Sequence, residues 1–357
     1  MDASLNIIIN RILTTAAKRR ALNIHLTVGA YPALRIDDEL VELNEEQIVT
    51  NDFIKKLADS WLSDEEKKEL EKQKEIILVR EVAGKFRLKI NLFFQKNFLS
   101  ASIRIIPVQI PPFINLGLPK SVYSLADKKS GLIIIAGPYG SGRTTTVASM
   151  VGEINNSRKE NIITIEKPIE YLLVNKKSLV EQREIGRDAN SFIDALKYAQ
   201  QADVDVIAVG ANTEPGVIPL VLEFANSGRL AILIMDTTSV VQTIEQIFAN
   251  FDPDEKQRAQ LLLSESLLSI IVQRLVPRVG GGLVLASEVL IANEPVHSLI
   301  AEGRIKQITT VLQTSRAEGM VSLDQSLVEL VKSGEVLIEK AIEYANDPQN
   351  FRGMAKG

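Results

Sequence analysis

The chain has 357 residues, a net charge of −4 and a pI of about 5.6, and it contains no cysteine. The length exceeds one ordinary domain, the missing thiols exclude disulfides and thiolate metal sites, and the acidic balance lacks the basic footprint of a nucleic-acid-binding protein. The first residues carry no basic leader and no apolar run reaches the roughly 18 residues that span a bilayer, so we expect a cytoplasmic protein.

The first hundred residues mix helices and strands. Apolar residues at helical spacing predict a helix over 5–18, and two more helices follow before residue 75, the second opened by a capping box of Ser63 and Glu66. Turns are expected at Asp37-Asp38 and at Ala83-Gly84. Short apolar or alternating runs predict strands at 23–28, 33–36, 40–43, 75–82, 85–94 and 98–106.

The last two of these strands each have one polar face. Arg87 and Lys89 alternate with apolar residues on the first, and Arg104 does so on the second. Such a face is either solvated or offered to a partner, and the pattern alone favours solvation.

Four prolines fall within residues 107–119. Because no helix tolerates that spacing, this segment is predicted to be a linker. The chain is therefore divided into an N-terminal α+β domain over 1–106, the linker over 107–119, and a second domain over 120–357.

The second domain begins with alternating strands and helices. Apolar runs predict strands at 132–136, 162–166, 204–209 and 230–235, with helices between them, which is typical of a parallel α/β sheet. One long helix is predicted over 254–275. A turn at 280–282, a strand over 283–290 and three short amphipathic helices complete the chain.

A glycine-rich loop joins the strand at 132–136 to the next helix. Strand, glycine-rich loop and helix in this order are typical of a phosphate-binding loop, in which backbone N–H groups and the positive end of the helix face phosphate oxygens. Thr144 takes the position whose hydroxyl binds Mg²⁺. Taken alone, the loop also fits a glycine turn that binds nothing. The residues expected to hold a nucleotide are Gly137, Gly140, Ser141, Gly142, Arg143, Thr144 and Thr145.

Arg143 stands where the phosphate-loop pattern has lysine. Arginine keeps the charge, but its planar fork is broader than the compact ammonium of lysine. We expect the loop to bind ATP or ADP weakly or not at all, with the Arg143 side chain projecting from it.

Further segments resemble those of the type IV pilus retraction ATPases, the PilT-type twitching-motility motors of the secretion ATPase superfamily. The likeness covers almost the whole chain in one order, which makes it specific. The segments are 23–26 (NIHL), 86–91 (FRLKIN), 103–107 (IRIIP), 163–170 (ITIEKPIE), 181–186 (EQREIG), 319–325 and 347–351.

The resemblance implies an α/β fold with a RecA-like P-loop NTPase domain, preceded by a smaller, PAS-like α+β domain. It implies ATP or ADP with Mg²⁺ as cofactor, Glu166 and Glu170 as catalytic carboxylates of an acidic box, and Arg87 and Arg104 as arginines that reach a neighbouring subunit's nucleotide. It also implies a ring, most simply a hexamer, made of this chain alone or with an active paralogue. The ring would dock on the inner-membrane platform protein at the pilus base, peripheral to the membrane.

Five positions depart from the family pattern, and we expect all five at the nucleotide site. Arg143 replaces a lysine, Ala211 replaces the catalytic glutamate and Lys167 replaces an aspartate of the acidic box. Arg229 and Asp236 replace two histidines, with a role that the sequence leaves open.

Ala211 has the largest consequence, because alanine accepts no proton and orients no water. Losing one water-orienting or charge-stabilising group lowers a rate by about 10²- to 10³-fold. We therefore expect a catalytically impaired ring subunit, a pseudo-ATPase that regulates or assists pilus retraction. The alternative is an active ATP-hydrolysing retraction motor in which Glu166 or Glu214 substitutes for the missing glutamate.

Overall fold

The computed structural model describes residues 3–36, 39–82 and 84–356. The chain divides into two compact units, Met1–Gln109 and Ile110–Gly357. Asp37, Asp38 and Ala83, on which the two expected turns fall, lie outside the described residues. Among the described helices, none combines the length and the apolar character needed to cross a membrane.

The first unit is built on a six-stranded antiparallel sheet in the order β3-β2-β1-β6-β5-β4. Apolar side chains of its helices and of alternate strand positions form one core. The strands are β1 (Asn23–Leu26), β2 (Ala33–Ile36), β3 (Glu39–Glu42), β4 (Glu75–Val82), β5 (Phe86–Gln95) and β6 (Phe98–Ile106). The helices are α1 (Ala3–Lys18), α2 (Asn51–Trp61) and α3 (Asp64–Gln73).

Two local predictions for this unit are confirmed. The capping box forms, because Ser63 Oγ accepts from the Glu66 amide at 3.3 Å and the Glu66 carboxylate accepts from the Ser63 amide at 2.9 Å. Arg87, Lys89 and Arg104 share the sheet face that points away from the core, and Lys89 lies directly opposite Arg104.

The second unit is built on a seven-stranded sheet in the order β13-β12-β7-β11-β10-β8-β9. All neighbours are parallel except β12 and β13, which run antiparallel. The strands are β7 (Gly131–Ala136), β8 (Asn161–Glu166), β9 (Leu179–Glu184), β10 (Val206–Val209), β11 (Leu230–Met235), β12 (Leu267–Pro277) and β13 (Leu283–Ile291).

Helices cover both faces of this sheet. Residues of β7 alternate between two cores, with Ile134 in one and Ile133 and Ile135 in the other, as expected for a parallel sheet buried on both sides. The helices are α4 (Lys120–Tyr123), α5 (Arg143–Ser157), α6 (Phe192–Gln201), α7 (Val217–Asn226), α8 (Val240–Ala249), α9 (Lys256–Ser266), α10 (Glu294–Ala301), α11 (Ile308–Thr314), α12 (Leu323–Lys332), α13 (Ile338–Tyr344) and α14 (Pro348–Lys356).

The prediction of one long helix over 254–275 is wrong. Helix α9 ends at Ser266, and the chain continues directly into β12. The β-branched run Ile270, Ile271 and Val272 pairs with β7 on one side and β13 on the other. These pairings join residues far apart in sequence, so they override the helical spacing that the apolar pattern allows locally.

Part of the expected linker belongs to the second unit. Phe113 and Leu118 are buried there and pack with Val122 of α4 and with residues of β7. The apolar contacts begin at Phe113, so the segment that lies outside both cores is shorter than the proline spacing implies.

Candidate nucleotide site

The glycine-rich loop lies between the carboxyl end of β7 and the start of α5. Gly137, Gly140 and Gly142 have φ angles of +147°, +82° and +91°, which side chains disfavour. At Gly137 a Cβ atom would stand 2.5 Å from both the Gln273 carbonyl oxygen and Ser141 Oγ. The backbone can take this path beside β12 only because residue 137 has no side chain.

Ser141 is the buried polar group of the loop that lacks a partner. Its residue is 2% exposed, and its hydroxyl makes no hydrogen bond in the structure. An unpaired buried hydroxyl is costly unless something satisfies it. Together with the glycine cradle and the N-terminus of the 15-residue helix α5, it fits an oxyanion such as a phosphate group.

Thr144 is the position that would hold Mg²⁺ beside such a phosphate. Within the described ranges, no group of three or more His, Asp or Glu side chains could hold a metal ion. Mg²⁺ commonly keeps several waters and binds substrate phosphates, so Thr144 would hold it together with phosphate oxygens.

Thr145 and Thr146 have hydroxyls that already make contacts. Thr145 Oγ1 lies 2.9 Å from the Tyr171 hydroxyl, which joins α5 to the segment after β8. Thr146 Oγ1 accepts from Nε2 of Gln273 at 2.7 Å, a fully buried contact to β12. These hydrogen bonds fix the first turn of α5, and with it the loop.

The expectation that Arg143 projects from the loop is wrong. One guanidinium nitrogen donates to the Met235 carbonyl oxygen at 2.7 Å and forms an ion pair with the Asp236 carboxylate. Only 10% of the Arg143 side chain is exposed, compared with 52% for Asp236. The arginine is turned sideways onto the end of the neighbouring strand, β11.

Asp236 and Arg229 occupy opposite ends of β11. Asp236 follows Met235, which pairs with Ala136 at the end of β7, so Asp236 is level with the loop. Arg229 precedes the first residue of the strand, about 23 Å from Asp236 at 3.3 Å per residue. Arg229 donates to the Ala199 carbonyl oxygen at 3.0 Å and its guanidinium stacks on Phe224 at 3.8 Å.

The expectation that all five departures meet at the nucleotide site is therefore wrong for Arg229. Its contacts are to the end of α6 and to α7, at the amino edge of the sheet. Burial lowers the pKa of its guanidinium, while the nearby Asp205 carboxylate opposes that shift. Arg229 has a packing role within its own unit.

Glu166 and Glu170 lie at the carboxyl end of β8. Glu166 Oε1 accepts from Thr164 Oγ1 at 2.7 Å and from Gln182 Nε2 at 3.2 Å. Burial of the carboxyl raises the pKa of Glu166, and the charge of Glu170, which is itself buried, adds to that shift. Lys167, which follows, is exposed.

These two carboxylates are not beside the loop strand. Strands β11 and β10 separate β7 from β8, which places the strand ends about 14 Å apart at 4.8 Å per strand. The Arg143–Asp236 pair lies at the end of one of the intervening strands. The segment after the acidic box nevertheless reaches α5, because Tyr171 contacts Thr145.

Ala211 lies just beyond the other intervening strand, β10. It is exposed, and Gly210 before it donates to the Ile165 carbonyl oxygen at 2.8 Å, which holds the turn against β8. Glu214, three residues on, accepts from the Phe192 amide at 3.0 Å. That carboxylate caps the N-terminus of α6, so it already has a structural partner.

Sequence reasoning missed two features of this site. One is the Arg143–Asp236 pair, although the opposite charges of these two departures were a usable signal. The other is Gln273, a fully buried amide whose Oε1 makes no hydrogen bond and whose contact with Thr146 spans 127 positions. Nothing in the pattern around Gln273 points to the loop.

Comparison with known proteins identifies the family to which the chain belongs. The model of the family described as "Type II/IV secretion system protein" matches residues 1–331. The type IV pilus retraction ATPase PilT of Pseudomonas aeruginosa is 35% identical over 343 residues, covering 96% of this chain and 99% of the relative. A twitching motility protein of Neisseria gonorrhoeae is 34% identical, covering 90% and 86%.

A solved structure shows the same fold. The crystal structure of the pilus retraction motor PilT with bound ADP superposes with a TM-score of 0.81 at 38% identity, covering 95% of this chain and 97% of that one. The predicted α/β class, with an N-terminal unit ahead of a RecA-like one, is confirmed by this match.

Proposed function

The chain belongs to the type II/IV secretion system protein family, and from that premise we propose that it is a PilT-like pilus motor subunit with an impaired ATPase site. It binds ATP or ADP weakly through the phosphate loop, with Mg²⁺ at Thr144. It assembles as a hexameric ring, alone or with an active paralogue, and works on the platform protein at the base of a pilus.

The observation that carries the proposal is Ala211, at the position where the family has its catalytic glutamate. Glu214 is no replacement, because its carboxylate caps α6. Glu166 lies on β8, whereas Ala211 follows β10, and its carboxylate is held by hydrogen bonds from Thr164 and Gln182. A group displaced by about 1 Å can already cost 10²-fold in rate, so neither carboxylate restores efficient water activation.

The alternative, an active motor with unusual residues, has one observation in its favour. The raised pKa of Glu166, with Glu170 beside it, is the kind of perturbation found at sites of acid–base chemistry. In that case Glu166 is the general base, and replacing it removes the activity.

Turnover of the purified protein separates the two. We expect phosphate release far below the roughly 1 s⁻¹ common for enzymes, and a larger rise in A211E/R143K than in either single variant, because the two groups act together. Turnover near 1 s⁻¹ in the wild type that is lost in Glu166→Gln establishes the alternative instead.

The second part of the proposal concerns an active neighbour. Arg87 and Arg104 lie on the outer face of the first unit's sheet, and an arginine that reaches a γ-phosphate in trans can raise phosphoryl transfer by about 10³- to 10⁵-fold. In this role the impaired subunit activates a neighbouring subunit that hydrolyses ATP.

Mixing experiments test this role. The protein, combined with the same organism's active retraction ATPase, is expected to change that enzyme's turnover, and Arg87→Ala or Arg104→Ala is expected to reduce the change without preventing co-assembly. Lys89→Ala is the matched control, because it removes one charge from the same face opposite Arg104. Failure to co-assemble in a pull-down refutes the hetero-ring.

A further inference from the structure

A carboxylate of the protein itself is paired with the arginine of the phosphate loop. Arg143, at the start of α5, is paired with Asp236 at the end of β11 and also donates to the Met235 carbonyl oxygen. We propose that Asp236 is a built-in competitor of the ligand, holding Arg143 so that nucleotide phosphates must displace this carboxylate to gain the guanidinium. The inference rests on the proposed use of this loop as a phosphate site.

The topology brings the carboxylate beside the loop. Strands β7 and β11 are parallel neighbours, and Ala136 pairs with Met235, so the next residues, Gly137 and Asp236, leave the sheet at the same level. Neighbouring strands are about 4.8 Å apart. The backbone of Asp236 therefore lies about one strand spacing from that of Gly137, where the loop begins.

The pair satisfies Arg143 without any ligand. A guanidinium matches a carboxylate in the way it matches a phosphate, so the two anions compete for the same donors. With only 10% of its side chain exposed, Arg143 has little freedom to serve both. The loop retains an arginine, but the arginine is already engaged.

The pair is asymmetric, because 10% of the Arg143 side chain is exposed and 52% of the Asp236 side chain. Asp236 is therefore open to solvent on the side from which a phosphate ligand would approach. Ser141 Oγ, by contrast, is buried in the same loop and unpaired. The Ser141 hydroxyl therefore lacks a partner, whereas Arg143 has Asp236. This arrangement weakens phosphate binding but leaves the backbone of the loop intact.

Asp236 acts in two ways on a phosphate ligand. It occupies the guanidinium, and its own negative charge repels the incoming phosphates. Both effects require phosphate on the ligand, and neither touches the nucleoside. The predicted signature is a change in affinity that grows from adenosine to AMP to ADP.

Isothermal titration calorimetry of the full chain with Mg·ADP, AMP and adenosine tests the proposal. Asp236→Asn keeps the shape and removes the charge, and it is expected to tighten ADP binding by about tenfold or more, equivalent to about 1.4 kcal/mol. Adenosine affinity is expected to change by less than about twofold. Asp254→Asn, which removes the same charge from an exposed site in the same unit, is the matched control and is expected to leave ADP binding unchanged.

Two further variants separate the loss of charge from a defect in folding. Asp236→His removes the anion with a different shape and is expected to tighten ADP binding as Asp236→Asn does. Asp236→Glu keeps the anion and is expected to bind ADP like the wild type. An ADP affinity that is unchanged or weaker in both neutral variants, including no detectable binding, overturns the inference.

The result is separable from the wider proposal. If ADP binding tightens but the protein fails to co-assemble with an active retraction ATPase, the competitor role stands and the hetero-ring role falls. If the protein co-assembles but its ADP affinity is the same in the Asp236 variants, the hetero-ring role stands and the competitor role falls.

Discussion

Replacing Gly137 by alanine tests whether the loop path is set by the close approach of β12. The Cβ of alanine would stand 2.5 Å from the Gln273 carbonyl oxygen and 2.5 Å from Ser141 Oγ. The first of these is backbone within a central strand, so it cannot swing aside as a flexible side chain could. The φ angle of +147° is a second obstacle, because alanine rarely adopts it.

The cost follows from these two terms. Backbone strain at such a position is of order 1–3 kcal/mol, and forcing an extra methyl into a packed site adds about 1–3 kcal/mol. We therefore expect Gly137→Ala to lower the free energy of unfolding by roughly 2–6 kcal/mol. Gly140→Ala is the matched control, since Gly140 has a φ of +82° but no atom within 4 Å of its Cβ position; it bears only the strain, about 1–2 kcal/mol.

Urea denaturation followed by circular dichroism gives the comparison. The protein has a single tryptophan, Trp61, which lies in the first unit, so its fluorescence reports a transition that is expected to stay unchanged in both variants. A Gly137→Ala midpoint no lower than that of Gly140→Ala, at equal slope, contradicts the steric argument.

Two further predictions concern the acidic box and the linker. Burial raises the folded-state pKa of Glu166 above its unfolded value of about 4.3, so the folded chain binds more protons and stability is lost as pH rises from that value through the folded pKa. The stability of Glu166→Gln relative to the wild type should therefore increase with pH in thermal melts, and a flat Glu166→Gln profile refutes the burial argument. Limited digestion with a protease of broad specificity should cut first between residues 107 and 112, because Val108 is 71% exposed and Phe113 is buried. Early cuts within the seven-stranded sheet count against the proposed boundary.

Short-range patterns in the sequence determined much of the fold. The strands at 75–82, 98–106 and 230–235 lie where alternation or apolar runs predict them. The capping box of Ser63 and Glu66 formed because its partners are three residues apart. The glycine loop was also recognisable from the sequence, because glycine permits the three positive φ angles that it uses.

Pairing between distant strands decided what the sequence could not. Whether 267–277 is helix or strand depended on β7 and β13, and β9 went unpredicted because its partially exposed residues resemble a loop until β8 pairs with it. The family resemblance assigns all five departures to one site, yet the fold places Arg229 and Asp236 at opposite ends of β11.

The Arg143–Asp236 pair shows the reason most clearly. Arg143 and its contact at Met235 are 92 positions apart. They meet because β11 pairs directly with β7, although β8, β9 and β10 lie between these two strands in the sequence. The helix or strand preference of a segment depends on residues close in sequence, so it can be read from the sequence. Which charge faces which across the end of a sheet is a property of the crossover connections, and only the folded sheet determines it.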